Sequence, residues 1–318
     1  MISFIIPFCT IEKSSTLKLD EKRNQVDSAF EQTNSQLIAD ATDKVIKNIG
    51  KNCNQEHEII IVDNSNTFSW YLNQEDYKNL RVIKGLQTAY EKDILNNDII
   101  KSHSQGQVVS SMIGNLTMWV SLAFHQGIKE AKGDYIVLQH NDVYYHTDMF
   151  DMLIEDLNRY AYISVDNKKV WVSTYVNWYE NKHFSKYMNT IDGASTFKRA
   201  KLSPDDGGYV KTDFGFADAY FFLTRRDFFD NYNVDWVYGD TNHGATIKCL
   251  HEGTDYLHLG PYHDNPNFDT PKNELHTYYY NDTPFLTHLK GGFSEHKMSS
   301  KDFEGELNKY FTGLNNAN

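Results

Sequence analysis

Two apolar runs frame the first part of the chain. Ser3 to Pro7 and Glu58 to Val62 (Glu-Ile-Ile-Ile-Val) are continuous enough in Ile and Val to predict strands covered on both faces. Between them Leu37, Ala41, Val45 and Ile49 recur every four residues, which predicts one buried helical stripe, with Gly50 expected at its C-cap. Leu80 to Ile83 reads as a third strand and Tyr135 to Leu138 as a fourth. From Ser102 to Ile128 there is no formal charge, and Val109, Met112, Ile113, Leu116, Trp119, Val120 and Ala123 fall at three- and four-residue intervals. Ser, Gln, Asn, His and Gly are scattered through that stretch, so it predicts a buried helix and not a membrane span. Alternation of strands and helices predicts an α/β fold with a mostly parallel sheet and helices on both faces.

Beyond residue 160 the pattern is less regular. Lys169 to Val176 and Tyr220 to Leu223 read as strands, and Asp240 to Glu252 as a helix followed by Gly253. No linker or change of composition divides the chain. The expectation is one domain over residues 1–300, with a ligand-binding half at 1–145 and an irregular half at 146–300, then a C-terminal helix and frayed tail at 301–318. Residues 11–33 are polar and aperiodic, and read as a surface insertion or a lid.

Charge changes this picture only by exclusion. With 31 basic and 43 acidic residues the net charge is −12, which would repel a polyanion and argues against a nucleic-acid partner. Cys9, Cys53 and Cys249 have no ligand spacing and read as buried or free thiols of a reducing, cytoplasmic setting. The apolar N-terminus has no basic residue ahead of it and is broken by Pro7, which makes it a poor signal peptide.

Ligands of open α/β sheets bind beyond the C-terminal ends of strands. Asp63 ends the second strand and Asp142 follows the fourth. A lone Asp at such a place is most often a turn former or helix cap; what singles out these two is their joint placement in one sheet. The chain has no Gly-rich phosphate loop after its first strand, where Pro7-Phe8-Cys9-Thr10 stands, and this counts against P-loop enzymes, Rossmann dehydrogenases and sugar-phosphate nucleotidyltransferases alike. Thirteen His residues include no His-Glu-x-x-His and no tight cluster, so no structural zinc site is expected. Trp171, Trp178, Trp236, Tyr238 and Tyr278 to Tyr280 could stack on sugar rings or fill the core.

Three segments in order carry a family resemblance. Ile2-Ser3-Phe4-Ile5-Ile6-Pro7-Phe8, then His57 to Ser65 with Val62-Asp63-Asn64-Ser65, then Gly127 to Val143 with Ala131-Lys132-Gly133-Asp134-Tyr135-Ile136, resemble the successive signatures of family 2 glycosyltransferases of the GT-A fold. Gly215 to Phe229, with its Arg225-Arg226 turn, and Thr287 to Ser294 are similar to later elements of that family. The resemblance implies transfer of a sugar from a nucleoside diphosphate donor to a hydroxyl of a glycan or small acceptor, with inversion, as in polysaccharide biosynthesis. It implies donor binding by Pro7, Asp63, Asn141 and Asp142, and a Mg²⁺ or Mn²⁺ ion held by Asp142 and His288. It also implies Asp240 as the base, with Asp218 and Trp236 on the acceptor side.

The chemistry is consistent with these residue types. A divalent cation stabilises charge on a departing diphosphate, and a carboxylate can take the acceptor proton. The family's Asp-x-Asp is absent; His140-Asn141-Asp142 stands in its place, and Gly239-Asp240 replaces an acidic pair. The rival reading is therefore a catalytically idle relative that binds nucleotide sugar or glycan without turnover.

Overall fold

The computed structural model describes residues 1–8, 35–63, 77–85, 116–171, 201–202, 209–230, 245–246, 249, 252–259 and 275–289. Its main sheet follows the order β3-β2-β1-β4-β8-β6-β9, with a short β7 paired to β8. The strands are β1 (Ile2–Phe8), β2 (His57–Asp63), β3 (Leu80–Lys84), β4 (Tyr135–Gln139), β6 (Tyr162–Trp171), β7 (Lys201–Leu202), β8 (Tyr209–Arg225) and β9 (Leu257–Leu259). From β3 to β4 every pairing is parallel; β8 then runs antiparallel to both β4 and β6. A second sheet, β10-β11-β5, joins β5 (Val143–Tyr145), β10 (Leu275–Tyr280) and β11 (Thr283–Leu289).

The uninterrupted Ile and Val runs are covered on both faces, as a parallel sheet requires. Phe4, Ile6, Ile59 and Ile61 pack with Ala39, Val45, Ile46 and Ile49 of helix α1 (Ser35–Asn52). The alternate positions Ile5, Ile60 and Val62 pack with Ala123 and Phe124 of helix α2 (Leu116–Glu130). Period-two alternation in the strands thus divides one sheet between two helical layers. Two shorter helices, α3 (Phe150–Asp156) and α4 (Asp227–Asp230), follow β5 and β8.

Close approach explains two glycines. A Cβ on Gly127 would stand 2.2 Å from Ile5 Cγ2, so α2 lies on β1 only because that position is bare. A Cβ on Gly133 would stand 2.7 Å from Met1 O, Ser3 N and Ser3 Oγ. Gly133 N donates to Ser3 Oγ at 2.7 Å, while Arg226 donates to Gly133 O through Nε at 2.7 Å and Nη2 at 2.5 Å. The Gly-Asp turn and the Arg-Arg turn are therefore one assembly at the start of β4.

Several boundaries differ from expectation. Helix α1 runs through Gly50 to Asn52, because Asn52 Nδ2 is held by Asn48 O at 3.2 Å and Tyr145 O at 3.1 Å. The strand expected at Lys169 begins at Tyr162, whose side chain and those of Ile163 and Val165 are fully buried; residues 172–176 lie outside the described residues. The short strand expected at Tyr220 is the end of the seventeen-residue β8. Around the expected second-half helix, Ala245, Thr246, Cys249 and Glu252 are helical, and Gly253 follows with φ 66°, the left-handed conformation of a helix-ending glycine. Residues 11–33 and 301–318 lie outside the described residues.

Candidate functional site

The parallel register of β1 with both β2 and β4 puts the C-terminal ends of these strands at one edge of the sheet, with Phe8 opposite Asp63. Pro7 is partly buried in β1, and Asp63, at 3% exposure, ends β2; Gly85 N donates to its carbonyl at 2.8 Å. Residues after β4 turn back through Asn141 and Asp142 into β5.

Helix α1 fixes that turn. Tyr145 N donates to Asn48 Oδ1 at 2.7 Å, Asn48 Nδ2 donates to Tyr145 O at 2.9 Å, and Asn141 Nδ2 donates to Thr42 Oγ1 at 3.2 Å. On the other side, Tyr145 OH donates to Gln139 Oε1 at 2.5 Å, tying β5 back to the last residue of β4. Satisfied buried amides of this kind hold a loop in one arrangement.

Strand β11 then brings His288 to the turn. Its antiparallel register with β5 sets His288 opposite Val143, the residue after Asp142. Thr287 Oγ1 hydrogen bonds with His146 Nε2 at 2.6 Å and with Thr277 Oγ1 at 2.7 Å, so β10, β11 and β5 are cross-linked beside the site. His288 Nε2 lies 3.3 Å from Asp142 Oδ2, with both residues almost fully buried. One ligand atom each of His140, Asp142 and His288 lie within 4.8 Å of one another. Tyr220 of β8 stacks on His288, ring centroids 3.6 Å apart and planes at 20°, and meets His140 edge-on at 5.1 Å.

Electrostatics suits the cluster to a cation. Burial pushes His140 down to about 4, against the pull of the Asp142 carboxylate and with help from His288, so its ring is neutral and keeps a lone pair at pH 7. Burial alone would raise the Asp142 carboxyl; the charge and hydrogen bond of His288, then His140, outweigh it and hold Asp142 below its ordinary value of 3.8. His140 Nε2 is buried without a hydrogen-bond partner. An ionised carboxylate and two imidazoles converging on one point are metal-binding chemistry.

The placement of expected residues is uneven. Asp142 and His288 come together, although His288 belongs to strand β11 rather than to a Gly-rich loop; Gly291 and Gly292 lie outside the described residues. Asp218 lies in β8. Asp240 and Trp236 fall outside the described residues, as do Trp178 and Tyr238. Tyr278 and Tyr280 are buried in the core and only Tyr279 is exposed, so two of the three are packing residues. His140 reads in the sequence only as the residue in place of an Asp, and the spacing of the His residues gives no sign of the cluster. The signal of His140 is its position, two residues before Asp142, with a side chain that can itself ligate.

Comparisons with known proteins bear on this geometry. The model of glycosyl transferase family 2 matches residues 114–232. No curated protein matches the sequence. Among solved structures, the apo WbbM bifunctional glycosyltransferase is 11% identical, with 99% of this chain and 51% of that one covered at a TM-score of 0.43. The mannosyltransferase PcManGT from Pyrobaculum calidifontis, in complex with GDP-Man and Mn²⁺, is 12% identical over 81% of this chain and 54% of that one at 0.39. The galactosyltransferase LgtC, with donor and acceptor sugar analogues, is 11% identical over 96% and 95% at 0.37. This chain spans about half the length of the first two. Likenesses this distant carry no weight on function, which rests on the family match and the site. The match to glycosyl transferase family 2 thus takes in α2, β4, His140 and Asp142 of the mixed α/β fold, and leaves Asp63 and His288 outside it.

Proposed function

We propose that this protein transfers a sugar, with inversion, from a nucleoside diphosphate donor to a hydroxyl of a glycan or small molecule. The observation that carries the reading is the cluster of His140, Asp142 and His288 at the C-terminal end of β4, within or against the segment that matches family 2. Asp63 and Pro7, at the same sheet edge, are the proposed donor contacts, with Asp63 accepting hydrogen bonds from base or ribose. Asn141 is the third, its amide already tethered to Thr42.

Of the two expected ions, Mn²⁺ and Mg²⁺, the residues present fit Mn²⁺ better: one carboxylate held ionised, one neutral imidazole, and a second imidazole 3.3 Å from the carboxylate. When bound there, the ion supplies Lewis-acid stabilisation of charge on the departing diphosphate. Asp142 and His288 hold and orient that end of the donor. Asp240 is the proposed base for the acceptor hydroxyl, with Asp218 and Trp236 on the acceptor side and residues 146–300 forming most of that half. Cys53 and Cys249, buried thiols outside any disulfide, are in keeping with a cytoplasmic setting. Among the described residues no helix is long and apolar enough to cross a membrane.

The test is release of nucleoside diphosphate from a panel of nucleotide sugars, with and without acceptor glycans, alongside thermal-shift measurement of donor binding. Release that needs a divalent ion supports the reading. Donor binding with no release from any member would instead make the protein an idle binder.

A further inference from the structure

His140 stands where an Asp-x-Asp sequence would put an oxygen ligand, and the substitution changes the chemistry of the donor set from oxygen-rich to nitrogen-rich. We infer that His140 is a third protein ligand, and that the His140, Asp142 and His288 set takes a first-row transition-metal dication of the Co²⁺ or Zn²⁺ class on its own, without nucleotide, in preference to Mg²⁺. The inference rests on the reading of Asp142 and His288 as ligands of a divalent ion, and goes beyond it in ligand number and in the identity of the ion.

Three observations carry it. Ligand atoms that share a tetrahedral or octahedral ion at about 2.0–2.2 Å stand about 3.0–3.5 Å from one another. The Asp142 Oδ2 to His288 Nε2 separation of 3.3 Å is already in that range, and the three atoms lie within 4.8 Å, so a side-chain adjustment of about 1 Å completes the set. The rings are also held ready: His140 lies against Phe124 at 6.5 Å and Tyr220 at 5.1 Å, and His288 is stacked on Tyr220 at 3.6 Å. A third ligand held in advance removes ordering cost that a nucleotide phosphate would otherwise offset. Finally, His140 Nε2 is buried with no hydrogen-bond partner, a cost that coordination through that nitrogen would relieve.

The choice of ion follows from the donor types. Mg²⁺ prefers six oxygens and gives up water reluctantly, so two imidazoles suit it poorly. Imidazole suits Zn, Cu, Fe and Ni, and affinity for a given nitrogen and oxygen set rises from Mn²⁺ through Co²⁺ to Cu²⁺, with Zn²⁺ below Cu²⁺. Three protein ligands also leave positions open for the oxygens of a diphosphate.

The test is equilibrium titration of the full-length, metal-stripped protein with Co²⁺, read by its visible absorption bands and by calorimetry, with no nucleotide present. Expected are one tight Co²⁺ per chain, displacement by Zn²⁺, and no displacement by a large excess of Mg²⁺. His140→Ala should weaken Co²⁺ binding by about tenfold or more, since even partners outside the ligand shell cost 10–100-fold. His140→Asp, which restores an oxygen ligand and guards against misfolding of the Ala variant, should let Mg²⁺ compete. Co²⁺ binding that is unchanged in folded His140→Ala but lost in His288→Ala would overturn the role of His140 and leave a two-residue site. No Co²⁺ binding, together with Mg²⁺-dependent release of nucleoside diphosphate, would overturn the inference while the glycosyltransferase reading stands. Tight Co²⁺ binding sensitive to His140, with no turnover of any donor, would support the inference and remove the transferase reading instead.

Discussion

His288 Nε2 and Asp142 Oδ2 are 3.3 Å apart because β11 pairs antiparallel with β5 and sets His288 across from Val143. The pair is buried, so removing either residue takes a close charge partner from the other. Replacing His288 by Gln keeps a polar side chain but removes the imidazole. The expected result is loss of donor turnover by about tenfold to a hundredfold or more with the fold retained, checked by initial rates and circular dichroism. Turnover within about twofold of wild type would remove His288 from the site.

Acid should destabilise the metal-free protein in a defined window. His140 titrates at about 4 in the fold against 6.5 in the unfolded chain, so folding favours its neutral form. That stability is fully present above pH 6.5 and is lost as pH falls from 6.5 towards 4. Asp142 is held below its ordinary 3.8, and its share is lost only as pH falls further. Denaturant unfolding in a chelator between pH 7.5 and 4 should show a shallower loss for His140→Gln than for wild type. Parallel slopes would contradict the assignment.

The two bare approaches of helix and turn to β1 are also measurable. Gly127→Ala would drive a Cβ into Ile5 Cγ2, and Gly133→Ala would drive one into Met1 O and the backbone and hydroxyl of Ser3. Overpacking of this kind costs about 1–3 kcal/mol. Gly133→Ala meets backbone atoms as well as the Ser3 hydroxyl, whereas Gly127→Ala meets a side-chain methyl that can shift, so the Gly133 variant should lose more in chemical denaturation.

Asp240→Asn separates a helix cap from a base. Asn caps a helix about as well as Asp, so a structural role predicts little change in stability or rate. A general base is worth about 10² to 10⁴ in rate, so the proposed role predicts that loss in kcat with nucleotide affinity kept. Near-normal transfer by the folded variant would move the search to Asp218.

The sequence made β1, β2 and β4 legible because a strand covered on both faces must be apolar throughout, and Ile59 to Val62 can hardly be anything else. Local signals failed where a distant partner decides the outcome. Gly50 looked like a stop, yet Asn48 and Asn52 continue the helix by bonding to Tyr145 in another element. His288 looked like a loop residue because β11 exists only through its pairing with β5 and β10, which no local period announces. At His140 a single position in the sequence does not reveal that His288, with Tyr220 stacked on it, converges on the same point.

A calorimetric titration of nucleoside diphosphates into wild type and Asp142→Asn, each with and without Mn²⁺, tests the central claim most directly. The account predicts that one nucleoside diphosphate binds wild type at least about tenfold tighter with the ion, a coupling of about 1.4 kcal/mol, and that Asp142→Asn abolishes this difference while keeping the fold. Equal affinity with and without the ion in wild type, unchanged in Asp142→Asn, would contradict a metal-assisted diphosphate site at Asp142.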